Sequence, residues 1–82
     1  MDKAILMAVR LEAAGAQIKE VSECRERVDG CVFITDFVSV QVATYGSFAR
    51  VTKEENVVFT HGPDRTQGDI DLLMQDISEA IA

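Results

Sequence analysis

The hydrophobic positions at the start of the chain follow a helical period. Asp2 stands where a helix cap is expected, apolar residues continue to Ala14, and Gly15 is placed to end the helix. The apolar residues form two stripes, the first of Ala4, Met7, Ala8, Leu11 and Ala14 and the second of Ile5, Leu6, Val9 and Ala13. A helix on one sheet needs a single stripe. The second stripe therefore indicates either burial between the sheet and another helix, or contact with a partner or a second copy.

The next stretch has a weaker pattern. Residues 16–24 are compatible with either a helix or a strand, because only Ile18 continues the helical stripe. The alternation that follows favours a strand over roughly 18–28. That strand would enter a tight two-residue hairpin turn at Asp29-Gly30.

From residue 31 to residue 60 the pattern is that of β-strands. Val38, Val40 and Val42 alternate with Ser39 and Gln41, which predicts one apolar and one polar face. The predicted strands cover residues 31–35, 37–44, 48–53 and 57–60. Because short connections force antiparallel neighbours, these strands predict a meander.

The closing segment, 66–82, has the clearest helical period. Thr66 is placed as its cap, and one side of the helix carries Ile70, Leu73, Met74, Ile77 and Ile81. The sequence thus predicts a single α+β domain over residues 1–82. Its expected architecture is a four- or five-stranded antiparallel meander flanked by N- and C-terminal helices packed on one face.

The charge narrows the choice of partners. The chain has 14 acids against 8 bases, for a net charge of −6. Residues 64–82 hold five acids and one base, so a net of −4 lies in the last quarter. Such a balance argues against direct binding of nucleic acid and against docking on anionic lipid. No apolar run approaches the ~20 residues of a membrane span, so we expect a cytoplasmic protein with reduced thiols.

The residues that usually carry catalysis or bind metals are sparse. His61 is the only histidine, and the sequence provides no partner for it at a catalytic spacing. Cys24 and Cys31 would be offset along a hairpin that turned at Asp29-Gly30, so we expect two small buried residues rather than a disulfide. The sequence therefore predicts no metal site and no cofactor. It also predicts that the protein is not an enzyme. A small enzyme with a dispersed active site is the remaining third class.

An acidic binding surface is the functional hypothesis. On the closing helix, Leu72 is predicted to point outward with three acids around it, as an apolar anchor with a charged rim. The candidate binding residues are Asp69, Leu72, Asp76 and Glu79, together with Glu54 and Glu55 from a polar connection between strands. We expect them to occupy a basic site on a larger protein or protein complex that handles nucleic acid. The alternative is that these charges only keep the chain in solution.

The chain resembles the small phage- or mobile-element-encoded proteins of the anti-CRISPR type. The resemblance lies in a short acidic chain, a β-meander over residues 31–60 and an acidic closing helix over 66–82. It implies an inhibitor that binds a CRISPR effector and blocks DNA access or nuclease recruitment. The alternative function is a small structural or assembly component that forms a homodimer or larger oligomer through its first helix or a sheet edge.

Overall fold

The computed structural model describes residues 2–23, 28–44, 49–61 and 67–82. Its elements are, in chain order, α1 (Asp2–Ala13), β1 (Glu20–Ser22), β2 (Val28–Phe33), β3 (Val38–Ala43), β4 (Ala49–Lys53), β5 (Asn56–His61) and α2 (Gln67–Ile81). The strands form one antiparallel sheet of five strands in the order β1-β2-β3-β4-β5. The predicted α+β class and antiparallel meander are confirmed.

Both helices pack on the same face of the sheet, as predicted. The aliphatic core between them consists of Ala4, Met7, Ala8 and Leu11 from α1, Val32, Val38, Val40, Val42, Ala49 and Val51 from the sheet, and Ile70, Leu73, Ile77 and Ala80 from α2. The period of two along β3 and the helical period of α2 therefore identify the core-facing positions correctly. We call this the helix-covered face of the sheet, and the opposite side the open face.

Helix α1 ends as predicted but begins differently. Gly15 has a φ of +107°, and the Gly15 and Ala16 amides donate to the carbonyls of Glu12 and Leu11 at 3.0 Å each. This pair of bonds is a Schellman cap, which favours glycine at the left-handed position. At the other end, the Ala4 amide donates to Asp29 Oδ2 at 2.8 Å. Asp2 is itself a helical residue, so a side chain from the sheet supplies this cap instead.

The predicted turn at Asp29-Gly30 is wrong. Both residues lie inside β2, where Val28 pairs with Ala43 and Gly30 with Val42. Asp29 is thus the extra residue of a β-bulge. An Asp-Gly pair suits a bulge as well as a turn, because both require a local departure from extended backbone. The bulge also places the Asp29 carboxylate at the start of α1.

The predicted strand over 18–28 is confirmed only in part. Residues 16–19 and 23 are irregular, β1 covers Glu20–Ser22, and residues 24–27 lie outside the described part of the chain. The next strand begins at Val28 and ends at Phe33, rather than covering 31–35. The other predicted strands agree to within two residues, while the Thr66 cap falls outside the described residues.

The second stripe of α1 is exposed. Ile5, Leu6 and Val9 are each at least half accessible, and Ala13 is exposed too. Burial of this stripe between the sheet and α2 is therefore excluded. Contact of this stripe with a partner or a second copy stays a prediction.

Helix α2 departs from prediction only at its end. Ile70, Leu73 and Ile77 are buried and Met74 is partly buried, but Ile81 is 49% exposed. Ala80 takes the inward position in the last turn. A spacing of three residues between Ile77 and Ala80 continues the stripe along the helix, and Ile81 falls beside it.

Candidate binding groove on the open face

The open face of the sheet carries a groove of about 650 Å³. Its floor is formed by side chains that alternate with the core valines of β2, β3 and β4 and so point away from the helices. The floor residues are Cys31, Ser39, Gln41 and Thr52. All four are buried, although α1 and α2 both pack on the other face. β3 is consequently buried along both faces, where the sequence pattern predicted one polar face.

The floor is polar and internally bonded. Ser39 and Thr52 are cross-strand neighbours, and their hydroxyl oxygens are 2.6 Å apart. Thr52 Oγ1 also lies 3.4 Å from the Ser39 carbonyl oxygen. Both contacts are satisfied if Ser39 donates to Thr52 Oγ1 and Thr52 donates to the Ser39 carbonyl. This arrangement uses both hydroxyl protons and leaves the Ser39 hydroxyl with acceptor capacity only.

Two hairpin turns form the rim at one end of the groove. The connection between β2 and β3 contributes Asp36 and Phe37, and the connection between β4 and β5 contributes Glu54 and Glu55. The Glu54 amide donates to the Phe37 carbonyl at 2.8 Å, which ties the two turns together. The first turn is also fixed internally, because Thr35 Oγ1 accepts from the Phe37 amide at 3.1 Å.

Aromatic side chains supply the apolar part of the lining. Phe33 ends β2 and is half-buried, whereas Phe37 stands in the turn and is 65% exposed. A phenylalanine this accessible beside carboxylates offers a ring face to a ligand. The groove therefore combines an exposed aromatic ring, a polar floor and acidic side chains.

The turn that carries Glu54 and Glu55 is conformationally costly. It has only these two residues between the paired Lys53 and Asn56, with φ values of +53° and +71°. Positive φ at both central positions is typical of a type I′ turn, which favours Asn-Gly. Non-glycine residues pay about 1–2 kcal/mol each in this region. Two glutamates are an unfavourable choice for stability at the positions where they reach the groove.

The rim carboxylates differ in their partners. Asp36 forms an ion pair with Lys19. Among the residues that the structure describes, neither Glu54 nor Glu55 has an ion-pair partner, and both are exposed. Two negative charges thus stand at the groove mouth without neutralisation from the described chain.

The predicted binding residues divide between two surfaces. Glu54 and Glu55 line the groove. Leu72 and Glu79 are exposed on α2, on the other side of the sheet, as their helical positions predicted. Asp76 is half-buried and has an interaction within the chain, and the side chain of Asp69 lies outside the described part. The two predicted groups of acids therefore do not form one site.

Several groove residues were missed by sequence reasoning. Ser39, Gln41 and Thr52 have the alternating polar pattern of a solvated face, and that pattern carries no sign of their burial. Phe37 offered the one usable signal, since it adjoins Asp36 in a turn, where a large apolar residue is unusual.

Of the two thiols and the histidine, only the side chain of Cys31 is among those that the structure describes. Cys31 is a buried cysteine opposite Ser22 on β1 and Gln41 on β3. Its predicted burial is confirmed, but the hairpin turn from which its offset to Cys24 was predicted is wrong, and Cys24 lies outside the described residues. His61 ends β5 opposite Ala49, and its side chain is not among those described.

Within residues 2–23, 28–44, 49–61 and 67–82, no group of three or more His, Cys, Asp or Glu side chains is arranged to hold a metal ion. Within the same ranges, no helix has the length and apolar character needed to cross a membrane. No family model matches the chain, and comparisons with curated proteins and with solved structures find no match.

Proposed function

We propose that the chain is a non-catalytic protein-binding inhibitor that receives a positively charged segment of a larger protein in the open-face groove. The observation that carries this proposal is the groove itself. It has a volume of about 650 Å³, and its mouth holds two glutamates without an ion-pair partner among the described residues. Ligand sites in proteins usually have volumes of ~300–1,000 Å³ with a few placed polar groups.

The charge of the whole chain supports a basic partner. A net charge of −6 attracts a positive surface over several ångströms and raises the rate of encounter. The groove then supplies the short-range contacts, because a concave aromatic and acidic surface fits an extended basic segment. The acidic face of α2 adds to the long-range attraction without forming part of the groove.

Inhibition is the biological role that fits this chemistry best. A basic site that normally holds nucleic acid would bind an acidic chain in competition with its substrate. In this proposal the chain acts in the manner of the anti-CRISPR proteins, by occupying such a site on a nucleic-acid-handling protein.

The proposal is tested with peptides of defined charge. Twelve-residue peptides with net charges of +4, 0 and −4 are titrated into the protein, and binding is followed by fluorescence anisotropy and by amide chemical shifts. We expect only the basic peptide to bind, to shift amides of β2, β3 and β4, and to lose affinity as salt rises.

A matched pair of variants locates the site. Glu54→Lys with Glu55→Lys and Glu12→Lys with Glu79→Lys change the net charge equally, but the second pair lies on the helices. We expect the first pair to abolish peptide binding and the second to weaken it only slightly. Equal losses of peptide binding would show that binding depends on the net charge. Unchanged binding by the Glu54/Glu55 variant would show that the groove is not the binding site.

A second candidate function, self-assembly, rests on α1. Ile5, Leu6 and Val9 form an exposed apolar stripe, and the edge strand β5 also exposes Val57 and Val58. Both surfaces are of the kind that pair with another chain. A dimer mass in light scattering near micromolar concentration, lost in Leu6→Glu, would support assembly through α1. A monomer with unchanged peptide binding would exclude it.

A further inference from the structure

The rim of the groove presents hydrogen-bond acceptors, because the carboxylates of Glu54 and Glu55 accept only. On the floor, the Ser39 and Thr52 hydroxyls can also accept, while the Gln41 amide both donates and accepts. A ligand that satisfies such a surface must bring several donors and a positive charge. The exposed ring of Phe37 adds a requirement for a flat or cationic group that can lie against it.

We propose that the groove recognises an arginine side chain of the basic partner. Its guanidinium group lies against Phe37 and donates to Glu54 and Glu55, with a remaining donor directed to the Ser39 hydroxyl. This assignment rests on the proposed function, because it names the residue of the basic segment that enters the groove.

Arginine fits this surface better than lysine does. A guanidinium group is planar and holds five N–H donors in a fixed fork, so it can stack on a ring and bond two carboxylates together. An ammonium group is a compact, strongly hydrated charge with three donors, and it loses more hydration on entering a groove.

The third rim carboxylate is already paired, because Asp36 forms an ion pair with Lys19. Glu54 and Glu55 form no ion pair with any of the described residues. An incoming arginine therefore meets carboxylates that have no competing cation among the described residues.

The test uses short peptides that differ in one side chain. Acetyl-Gly-Gly-X-Gly-Gly-amide, with arginine, lysine or citrulline at X, is titrated into the protein and followed by amide chemical shifts. Citrulline has nearly the shape of arginine without its charge. We expect the arginine peptide to bind at least about threefold more tightly than the lysine peptide, and the citrulline peptide to give no saturable shift.

Variants of Phe37 separate stacking from charge. Phe37→Ala should weaken binding of the arginine peptide about two- to fivefold, since a cation on an aromatic face contributes ~0.5–1 kcal/mol at an exposed site. Phe37→Tyr keeps a ring and should retain binding. Because the Phe37 side chain is largely exposed, both variants should fold, as circular dichroism will check.

The outcomes distinguish this inference from the proposed function. If the arginine and lysine peptides bind equally and Phe37→Ala has no effect, arginine recognition is wrong, while binding of the +4 peptide would still support the function. If neither the +4 peptide nor the short peptides bind, both proposals fail. Preference for arginine that disappears in Phe37→Ala supports both.

Discussion

The two faces of the sheet are buried by different means. On the helix-covered face, Val32, Val40 and Val51 are sealed by aliphatic side chains from α1 and α2. On the open face, Ser39 and Thr52 are almost as inaccessible but lie under a groove with an acidic rim. Burial on the first face serves stability, because apolar area leaves water. Burial of polar groups on the second face contributes little to stability and creates a shaped, polar surface.

A single substitution in the core of the helix-covered face should lower the free energy of unfolding more than one on the open face. Leu11 is completely buried in α1, and Leu11→Ala should lower the free energy of unfolding by about 2–5 kcal/mol. Urea denaturation followed by circular dichroism measures the change. For a chain of 82 residues this is a large fraction of the total stability.

Leu6→Ala is the matched control on the same helix. Leu6 is exposed, so its removal should change the free energy of unfolding by less than about 0.5 kcal/mol. A loss in Leu6→Ala as large as that in Leu11→Ala would mean that Leu6 is covered in solution, as self-assembly through α1 requires.

The floor of the groove should be sensitive to an unsatisfied hydrogen bond. Thr52→Val keeps the side-chain shape but removes the acceptor of the Ser39 hydroxyl, so it should cost about 1–3 kcal/mol. Ser39→Ala combined with Thr52→Val removes both partners and should cost less than the two single changes together. The double-mutant cycle measures this coupling by urea denaturation. Strict additivity would show that the hydroxyl pair is not a unit of the open face.

The acidic turn should show opposite effects on stability and binding. Glu54→Asn with Glu55→Gly supplies the residues that a type I′ turn prefers, so stability should rise by about 1–2 kcal/mol. The same change removes both groove carboxylates and should abolish binding of the +4 peptide. Thermal denaturation and anisotropy give the two readouts.

Glu54→Gln with Glu55→Gln separates the loss of charge from the relief of backbone strain. It removes the charges without relieving the backbone, so binding should fall while the free energy of unfolding stays nearly constant. If the Asn-Gly variant gained no stability, the positive φ values at Glu54 and Glu55 would not lower the stability of the chain.

The helix-covered face could be predicted because local periodicity determines it. Ile70, Leu73 and Ile77 recur with the period of a helix, and Val38 and Val40 with the period of a strand. Each of these apolar residues favours burial whichever core residues it packs against. The antiparallel order of the strands follows from these patterns and from short connections, although they left the number of strands open between four and five.

The groove could not be predicted in the same way, because it depends on contacts between distant residues. Its rim is formed by the bond from the Glu54 amide to the Phe37 carbonyl, which joins two separate hairpins. The turn conformation at Glu54 and Glu55 opposes the local preference of glutamate. Polar residues such as Ser39 have no pattern that distinguishes a solvated strand from the floor of a groove.

The role of Asp29 depends on both the local sequence and the tertiary structure. Its substitution should lower the free energy of unfolding less than Leu11→Ala or Thr52→Val does. The Asp-Gly pair signalled an irregular backbone, but only the tertiary structure shows that the bulge places this carboxylate at the start of α1. Asp29→Asn keeps an oxygen acceptor for the Ala4 amide and removes the negative charge from the helix N-terminus. We expect a loss of about 0.3–1 kcal/mol, because charge at a helix end contributes that much. Urea denaturation at low and high salt measures it, and the loss should shrink as salt screens the helix dipole. A salt-independent loss would indicate that Asp29 acts through bond geometry within the bulge and not through its charge.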